Sequence, residues 1–327
     1  MQFRAPIHGT ALAVLTLAAS SFCFAQAAPA QQEVPSAPGA TAAQAPQPVQ
    51  FPPANPANFT SDTPSRETVE SFLKESWGYD TNRVWEVAAI QKTPAEGIIK
   101  VVVFVAEKQS AKPEIANLTF FVTPDGKHLI ANDVLPFGAH PYTEYRELLK
   151  TRATGPSKGA TDKQFQLVEF ADFQCPHCKE AQQTAAKLQQ DFPQARYVYE
   201  NFPLVAIHSE AYKAAAYGAC VAKQGGNDAF FKFSDAVFAA QESLTPTGSD
   251  AVLADAVTKA GLTPAKIAAC ASSPEGKSAV DASLQLGKDL SIDQTPLLFI
   301  NGRAIPMNAV PYEQLKQIVA YQFLLDK

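Results

Sequence analysis

The stretch at residues 168–179 constrains the fold of this chain more than any other feature. An apolar run over residues 165–173 is typical of a buried or half-buried strand, and it leads into Cys-Pro-His-Cys and then a polar segment with helical spacing. Proline suits the first helical position because its missing N–H is not needed there. The sequence therefore predicts a strand that delivers two thiols to the start of a helix, with Cys175 at or beside the N-cap and Cys178 one turn inside.

The predicted position of Cys175 has a chemical consequence. Its sulfur would face the free N–H groups and the positive end of the helix dipole, which favour thiolate over thiol. His177, between the two cysteines, can add a hydrogen-bond donor or a positive charge. Because a stabilised thiolate is a good leaving group, a disulfide between Cys175 and Cys178 should be easy to reduce. We therefore predict that the pair oxidises other thiols.

The same residues resemble the thioredoxin superfamily, and most closely its DsbA-like thiol-disulfide oxidoreductases, whose motif is also C-P-H-C. The resemblance implies an enzyme that performs thiol–disulfide exchange, with no cofactor beyond its own redox-active disulfide. Two further features extend it. Glu169 stands where the superfamily has a buried acid, and Thr295-Pro296 resembles the family's cis-proline loop, which lies against the reactive cysteine. The predicted catalytic residues are therefore Cys175, Cys178, His177, Pro176, Glu169, Thr295 and Pro296.

Each of these features also has an ordinary structural interpretation. Glu169 could be a carboxylate at a strand edge, but its apolar surroundings favour a proton acceptor with a perturbed pKa. Thr295-Pro296 could be a plain turn, but the apolar run and Asn-Gly pair that follow favour the loop. The Cys-x-x-Cys pair could be half of a zinc site, yet no second pair of ligands with metal-binding spacing follows it. Covalent haem would require histidine at position 179, which is Lys179.

The resemblance covers about residues 164–327 and implies an α/β, thioredoxin-like fold. Residues 208–241, which are rich in alanine, resemble the helical insertion of the DsbA-type branch. We therefore expect a catalytic domain at residues 163–327, with the insertion at about 208–290. A chain of 327 residues is long enough for a second domain. Its net charge of -5 and pI of about 5.6 argue against a nucleic-acid partner.

The amino terminus has the pattern of a secretory signal at residues 1–27. Arg4 precedes a short apolar run, and cleavage is expected near Ala27, after small residues. Export to the periplasm or another oxidising compartment would suit disulfide chemistry. Residues 28–62 are mostly alanine, glutamine and proline, so we predict a disordered linker, because such a segment cannot bury enough apolar surface to offset its ordering entropy.

Residues 63–150 are predicted to form a small α+β domain. A helix should begin with Thr63-Pro64 as its cap and end at Gly78. Three strand-like runs follow it, and a turn after the third leads into residues 128–130. Residues 121–130 weakly resemble the cystatin-like dimerisation domain of the DsbC and DsbG disulfide isomerases, which implies a homodimer. A small cap on the catalytic domain is the alternative. Residues 151–162, with several glycines and a proline, are predicted to be the interdomain linker.

Two cysteines of the insertion, Cys220 and Cys270, are predicted to form a structural disulfide, because an even number of exported cysteines usually pair. Free, buried cysteines are the alternative. His208, at the start of the insertion, could be a second functional histidine, but a residue at a helix start is the simpler interpretation.

The predicted function is oxidation of reduced or unfolded exported proteins, with an unidentified redox partner that reoxidises the enzyme. Two alternatives stay open on the sequence. The isomerase-like N-terminal region and Thr295 before the proline favour a DsbC- or DsbG-type isomerase or reductase, whereas His177 and the insertion favour the oxidant. A non-enzymatic holdase or envelope interaction module would make the thiols incidental. Gln294, where glycine is frequent in the family, leaves substrate docking open.

Overall fold

A computed structural model describes residues 48–109 and 114–326. The predicted signal at residues 1–27, and residues 28–47 of the predicted linker, lie outside the described residues. The first half contains a five-stranded antiparallel sheet whose spatial order follows the chain. Its elements are α1 (Arg66–Trp77), β1 (Arg83–Lys92), β2 (Ile99–Glu107), β3 (Ala116–Val122), β4 (His128–Ile130) and β5 (Val134–Pro136).

The N-cap residue of helix α1 lies two residues further along the chain than the predicted one. The Ser65 hydroxyl accepts a hydrogen bond from the Thr68 N–H at 3.1 Å, so Ser65 and not Thr63 is the N-cap. The Thr63–Pro64 peptide bond is cis and precedes the helix. Gly78 ends the helix, as the sequence predicts, and donates to the Lys74 carbonyl at 2.9 Å.

One face of α1 covers the first sheet. Val69 and Leu73 are fully buried against inward-facing strand residues such as Val87 and Val101. The end of the predicted disordered linker takes part in this core, because Phe59 packs against it and the Thr60 N–H donates to the Ile90 carbonyl at 2.9 Å. The structure therefore differs from the predicted disorder at residues 59–60, which contact strand β1 and the core beneath α1.

The second sheet has the order β10-β9-β7-β8-β6. Strands β7 and β8 are parallel, and the other pairs are antiparallel. Helix α3 connects β7 to β8, as a parallel pair requires. The remaining elements of this half are α2 (Thr143–Arg152), β6 (Ser157–Gly159), β7 (Gln166–Ala171), α3 (Pro176–Asp191), β8 (Arg196–Asn201), α4 (Ala211–Ala239), α5 (Ser249–Lys259), α6 (Pro264–Ser272), α7 (Pro274–Asp289), β9 (Leu297–Ile300), β10 (Arg303–Pro306) and α8 (Tyr312–Leu325).

The segment predicted as an interdomain linker, residues 151–162, is partly regular structure. It contains the end of α2 and the edge strand β6, which pairs with β8. The Gly155 N–H donates to the buried Glu200 carboxylate at 2.7 Å. A Cβ at Gly155 would collide with the Tyr199 carbonyl, so glycine is needed for this close approach. Gly155, one of the glycines that suggested an interdomain linker, therefore serves tight packing against the sheet.

The insertion between β8 and β9 consists of α4 to α7 and packs through aromatic rings on the segment that follows β7. Phe173, directly before the cysteine motif, contacts Phe233 and Phe238 of α4, with ring centroids 5.7 and 5.2 Å apart. A disulfide joins Cys220 of α4 to Cys270 of α6. In residues 48–109 and 114–326, no helix is long and apolar enough to cross a membrane.

Candidate active site

The two thiols lie where the buried strand β7 turns into α3. Cys175 is the N-cap residue with extended backbone angles, φ -75° and ψ 120°, and Pro176 occupies the first turn. The Cys175 N–H donates to the Asp172 carbonyl, and the Cys178 N–H donates to the Cys175 carbonyl, both at 3.1 Å. Both thiols are unbonded in this structure. The strand, turn and helix stand where the sequence predicts them.

The environment of Cys175 favours its thiolate. Hydrogen bonding from the Cys178 thiol is the largest cause, and the backbone N–H groups of Cys178 and His177 act in the same direction. Partial burial opposes them, and the balance lowers the pKa of Cys175 to about 5. The free N–H groups of a helix start thus stabilise the anion, as expected at this position.

Cys178 has the opposite environment. It is fully buried, and burial raises its pKa far above that of an ordinary thiol. One donor offsets part of this cost, since the Asp172 N–H lies 3.4 Å from Cys178 Sγ. The site therefore pairs an outer sulfur that is stable as an anion with an inner sulfur that is stable as a thiol.

Glu169 lies beneath this pair on β7 and is closed off from solvent. The Tyr197 hydroxyl donates to its Oε2, and Gln182 Nε2 lies 3.4 Å from its Oε1. Burial raises the pKa of Glu169 to about 7, against the effect of these two donors. Gln182 also donates to the Cys178 carbonyl at 3.0 Å, so it connects the carboxylate with the helix that carries the thiols.

The backbone N–H and the ring of His177 have different surroundings in the structure. Its backbone N–H supports the Cys175 thiolate, whereas its ring is exposed and lies 3.3 Å from Glu180 Oε2. A direct effect of the ring on the sulfur therefore stays a prediction. The proline loop lies against the site: the Thr295–Pro296 bond is cis, and Cys175 Sγ is 3.7 Å from the Thr295 carbonyl oxygen.

Sequence reasoning missed a network behind the cysteine turn. The Asp172 carboxylate is fully buried and accepts from the Gln174 N–H at 2.7 Å and the Leu204 N–H at 2.8 Å. The ring of His208 completes the set, with Nδ1 2.8 Å from Asp172 Oδ2. His208 thus belongs to this network and precedes α4, whose N-cap is Glu210. The sequence signals for it are an aspartate at a strand end and His208, a candidate second functional histidine.

Gln241, a residue of the insertion, contacts the turn between β7 and α3. Gln241 Nε2 donates to the carbonyls of Phe173 and Cys175, both at 2.9 Å. No metal centre adjoins these groups: within residues 48–109 and 114–326, no cluster of three or more His, Cys, Asp or Glu could hold an ion. The disulfide of Cys220 and Cys270 lies within the insertion.

A dithiol at the strand–helix turn of a mixed sheet, facing a cis-proline loop, defines a class of redox protein. A family model described as Thioredoxin matches residues 151–320. This is more than half of the chain, which therefore belongs to the thioredoxin family.

Three relatives illustrate the similarity. The Na(+)/H(+) antiporter NhaA 3 of Salinispora tropica is 29% identical over 146 residues, which are 45% of this chain and 21% of the antiporter. Disulfide bond formation protein D of Bacillus subtilis is 27% identical over 170 residues, 50% of this chain and 75% of that protein. A periplasmic thioredoxin-like protein from Salmonella enterica serovar Typhimurium, known from a crystal structure, is 21% identical in sequence with a TM-score of 0.46. The superposition covers 56% of this chain and 97% of the Salmonella chain. The chain therefore covers about a fifth of the antiporter and three quarters of protein D.

Proposed function

We propose that the protein is an exported thiol–disulfide oxidoreductase that passes a Cys175–Cys178 disulfide to reduced proteins. The proposal rests on Cys175 at the start of α3, with its pKa lowered to about 5. A sulfur that is stable as an anion leaves readily, so its disulfide is easily reduced and oxidises other thiols. Membership of the thioredoxin family and the similarity to a disulfide bond formation protein support this chemistry.

The first step is attack of a substrate thiolate on Cys175 Sγ of the disulfide. A mixed disulfide forms between the substrate and Cys175, while Cys178 leaves as a thiolate. The Asp172 N–H, 3.4 Å from Cys178 Sγ in the dithiol form, stabilises the departing charge. Glu169, whose pKa is raised to about 7, supplies the proton that converts Cys178 to a thiol.

The second step releases the product. Another thiolate of the substrate attacks the substrate sulfur of the mixed disulfide, and Cys175 leaves as its stabilised thiolate. The substrate gains a disulfide and loses two electrons, which the protein holds as its dithiol. Extended substrate would pair with the backbone around Thr295 and Pro296 in the first step, and a separate electron acceptor reoxidises the protein afterwards.

The proposal is tested by the reduction potential of the mature protein in glutathione buffers. We expect a potential more oxidising than about -200 mV, and rapid oxidation of reduced, unfolded ribonuclease A. In Cys178→Ala the Cys175 thiolate can attack disulfides of exported proteins and release one of their sulfurs as a thiolate, and the mixed disulfides should accumulate because no Cys178 thiol remains to resolve them. The matched variant Cys175→Ala should accumulate none. A potential near about -270 mV would contradict the oxidant role.

Export from the cytosol is part of the same proposal. The signal-like residues 1–27 and the oxidising chemistry of the site favour the periplasm or another exported location. Secretion of a reporter fused behind residues 1–27, with cleavage near Ala27, is the expected outcome. Retention of an uncleaved reporter in the cytosol would contradict it.

A disulfide isomerase is the second candidate, favoured by the separate antiparallel sheet and helix of residues 66–136. An isomerase would be a homodimer through this half and would have a less oxidising couple. Solution mass and reduction potential, measured on the same preparation, distinguish the two candidates. A holdase would retain its full effect on aggregation in a Cys175→Ser/Cys178→Ser variant.

A further inference from the structure

The buried Glu169 carboxylate has only neutral hydrogen-bond partners in the described part of the chain. The Tyr197 hydroxyl contacts its Oε2 and the Gln182 amide its Oε1, and no lysine, arginine or histidine of residues 48–109 and 114–326 forms an ion pair with it. A carboxylate in such a site carries the full cost of burial unless donors offset it. The strength of these two donors therefore controls how easily Glu169 becomes charged.

We propose that Tyr197 is a positioning residue for Glu169: its hydroxyl sets how readily that carboxyl group gives up a proton, and so the pH range in which Cys178 takes part in exchange. The inference rests on the proposed function of the Cys175–Cys178 pair. Tyr197 would act through Glu169 and would not touch the substrate.

The contact is fixed by the sheet. Strands β7 and β8 run parallel with Leu167 opposite Tyr197 and Glu169 opposite Tyr199, so both tyrosines lie beside the carboxylate. Tyr197 is fully enclosed, and its own pKa is raised well above 10 by burial and by Glu169. Its hydroxyl therefore remains protonated and remains a donor at any pH at which the protein would work.

The groups around Glu169 come from three elements. Tyr197 and Tyr199 approach from β8, Cys178 and Gln182 lie on α3, and the apolar Leu298 of β9 lies opposite in the sheet. Cys178 is the group of this set that must gain and lose a proton in exchange. Gln182 bonds both the Cys178 carbonyl and Glu169, which holds the acid close to that cysteine.

The relevant step is closure of the disulfide. With Cys175 in a mixed disulfide, Cys178 passes its proton to the charged Glu169, and the Cys178 sulfur attacks Cys175 Sγ. The other sulfur of the mixed disulfide leaves as a thiolate, so one disulfide breaks as another forms and no external oxidant is needed. Closure is therefore faster where Glu169 is charged, which is at pH values above its pKa.

The chain offers a matched control on the same strand. Tyr199 is enclosed like Tyr197, but among the residues that the structure describes its hydroxyl has no hydrogen-bond partner. Tyr197→Phe and Tyr199→Phe each remove one oxygen from a buried ring of β8. Only the first removes a donor to Glu169, so a difference between the two variants reports that contact and not the loss of a hydroxyl from the core.

The experiment uses the mature protein with Cys175 preloaded as a mixed disulfide with glutathione, and measures glutathione release against pH. We expect the midpoint of the Tyr197→Phe profile to rise by about one pH unit, the size of one hydrogen bond to a charged group. At pH 7 this corresponds to a several-fold slower release. The Tyr199→Phe profile should match the wild type.

Two further variants make the result specific. In a Glu169→Gln background, which lacks the titrating group, Tyr197→Phe should cause no additional shift. Should Tyr197→Phe fold poorly, Gln182→Leu removes the other donor from a half-buried position and should shift the midpoint in the same direction.

The proposal is overturned if Tyr197→Phe folds and its pH midpoint equals that of Tyr199→Phe. Should Tyr197→Phe not fold, an unchanged midpoint in Gln182→Leu overturns it. A shift that persists in the Glu169→Gln background would also overturn it. Failure of the proposed function itself is distinguishable, because the wild-type mixed disulfide would then release no glutathione at any pH.

Discussion

At the scale of single residues, one helix turn gives two cysteines opposite properties. Cys175 caps α3 and has its pKa lowered to about 5, whereas burial raises the pKa of Cys178. The difference comes from position, since both are thiols of the same chain. The outer sulfur meets the free N–H groups, whereas the inner sulfur is buried and accepts a hydrogen bond from the Asp172 N–H.

This asymmetry predicts the pH dependence of alkylation in the reduced protein. A thiolate reacts and a thiol does not, so the rate at Cys175 should rise through a midpoint near pH 5 and be level by neutral pH. Iodoacetamide labelling of the reduced wild-type protein, followed by mass spectrometry that separates modification at Cys175 from modification at Cys178, measures this rate. Cys175→Ala is the control and should label slowly throughout. A midpoint near pH 8.5, that of a free cysteine, would remove the basis of the oxidant role.

At the scale of elements, the turn between β7 and α3 is held from the insertion. Asp172 accepts hydrogen bonds from the loop that follows β8 and from His208, and Gln241 holds the backbone of the turn. Parallel strands place their carboxyl ends at one edge of the sheet, which is why residues after β7 meet residues after β8. The insertion thus supports the redox turn in addition to adding a helical layer.

Removal of the Asp172 carboxylate should destabilise the protein strongly. Asp172→Ala leaves two backbone N–H groups and a histidine without their shared acceptor, and we expect a loss of about 3 kcal/mol in the free energy of unfolding. Asp172→Asn keeps one oxygen and should lose less. Urea denaturation measures both, and equal stability of Asp172→Ala and wild type would contradict the network's importance.

At the scale of the whole molecule, long-range contacts connect elements that are far apart in the chain. Arg303 of β10 donates to the Ser76 carbonyl of α1 at 2.8 Å, and its guanidinium lies over the rings of Tyr79 and Tyr142. The Cys220–Cys270 disulfide closes a loop of 50 residues inside the insertion. The redox turn, which packs on that insertion through Phe173, depends on this scaffold.

The disulfide should affect stability but not redox chemistry. Its removal in Cys220→Ala/Cys270→Ala relaxes the unfolded chain, and the loop length corresponds to a loss of about 4 kcal/mol in the chain-entropy model. The reduction potential of the Cys175–Cys178 pair should stay within experimental error of the wild type. Chemical denaturation and glutathione equilibration test the two parts, and a changed potential would show that the bridge reaches the site.

Much of the fold could be predicted because its signals are local. The apolar run of β7, the Cys-Pro-His-Cys turn and the amphipathic segments of α1 and α8 are each encoded within a few turns of chain. Two segments differ from what their composition suggested: glycines near residue 155 suggested an interdomain linker without regular structure of its own, and the prolines before residue 62 suggested disorder. In both places a few long-range contacts outweigh composition.

The sequence alone determined where the thiols lie and that Cys175 meets the free N–H groups of a helix start, because an N-cap and a first-turn proline are properties of adjacent residues. Only the tertiary structure decided what surrounds them. Tyr197 reaches Glu169 across 28 positions and His208 reaches Asp172 across 36, through a strand register and a loop path that no short pattern contains. The proton affinity of a buried acid depends on such neighbours, so it follows from the assembled sheet and not from the order of residues.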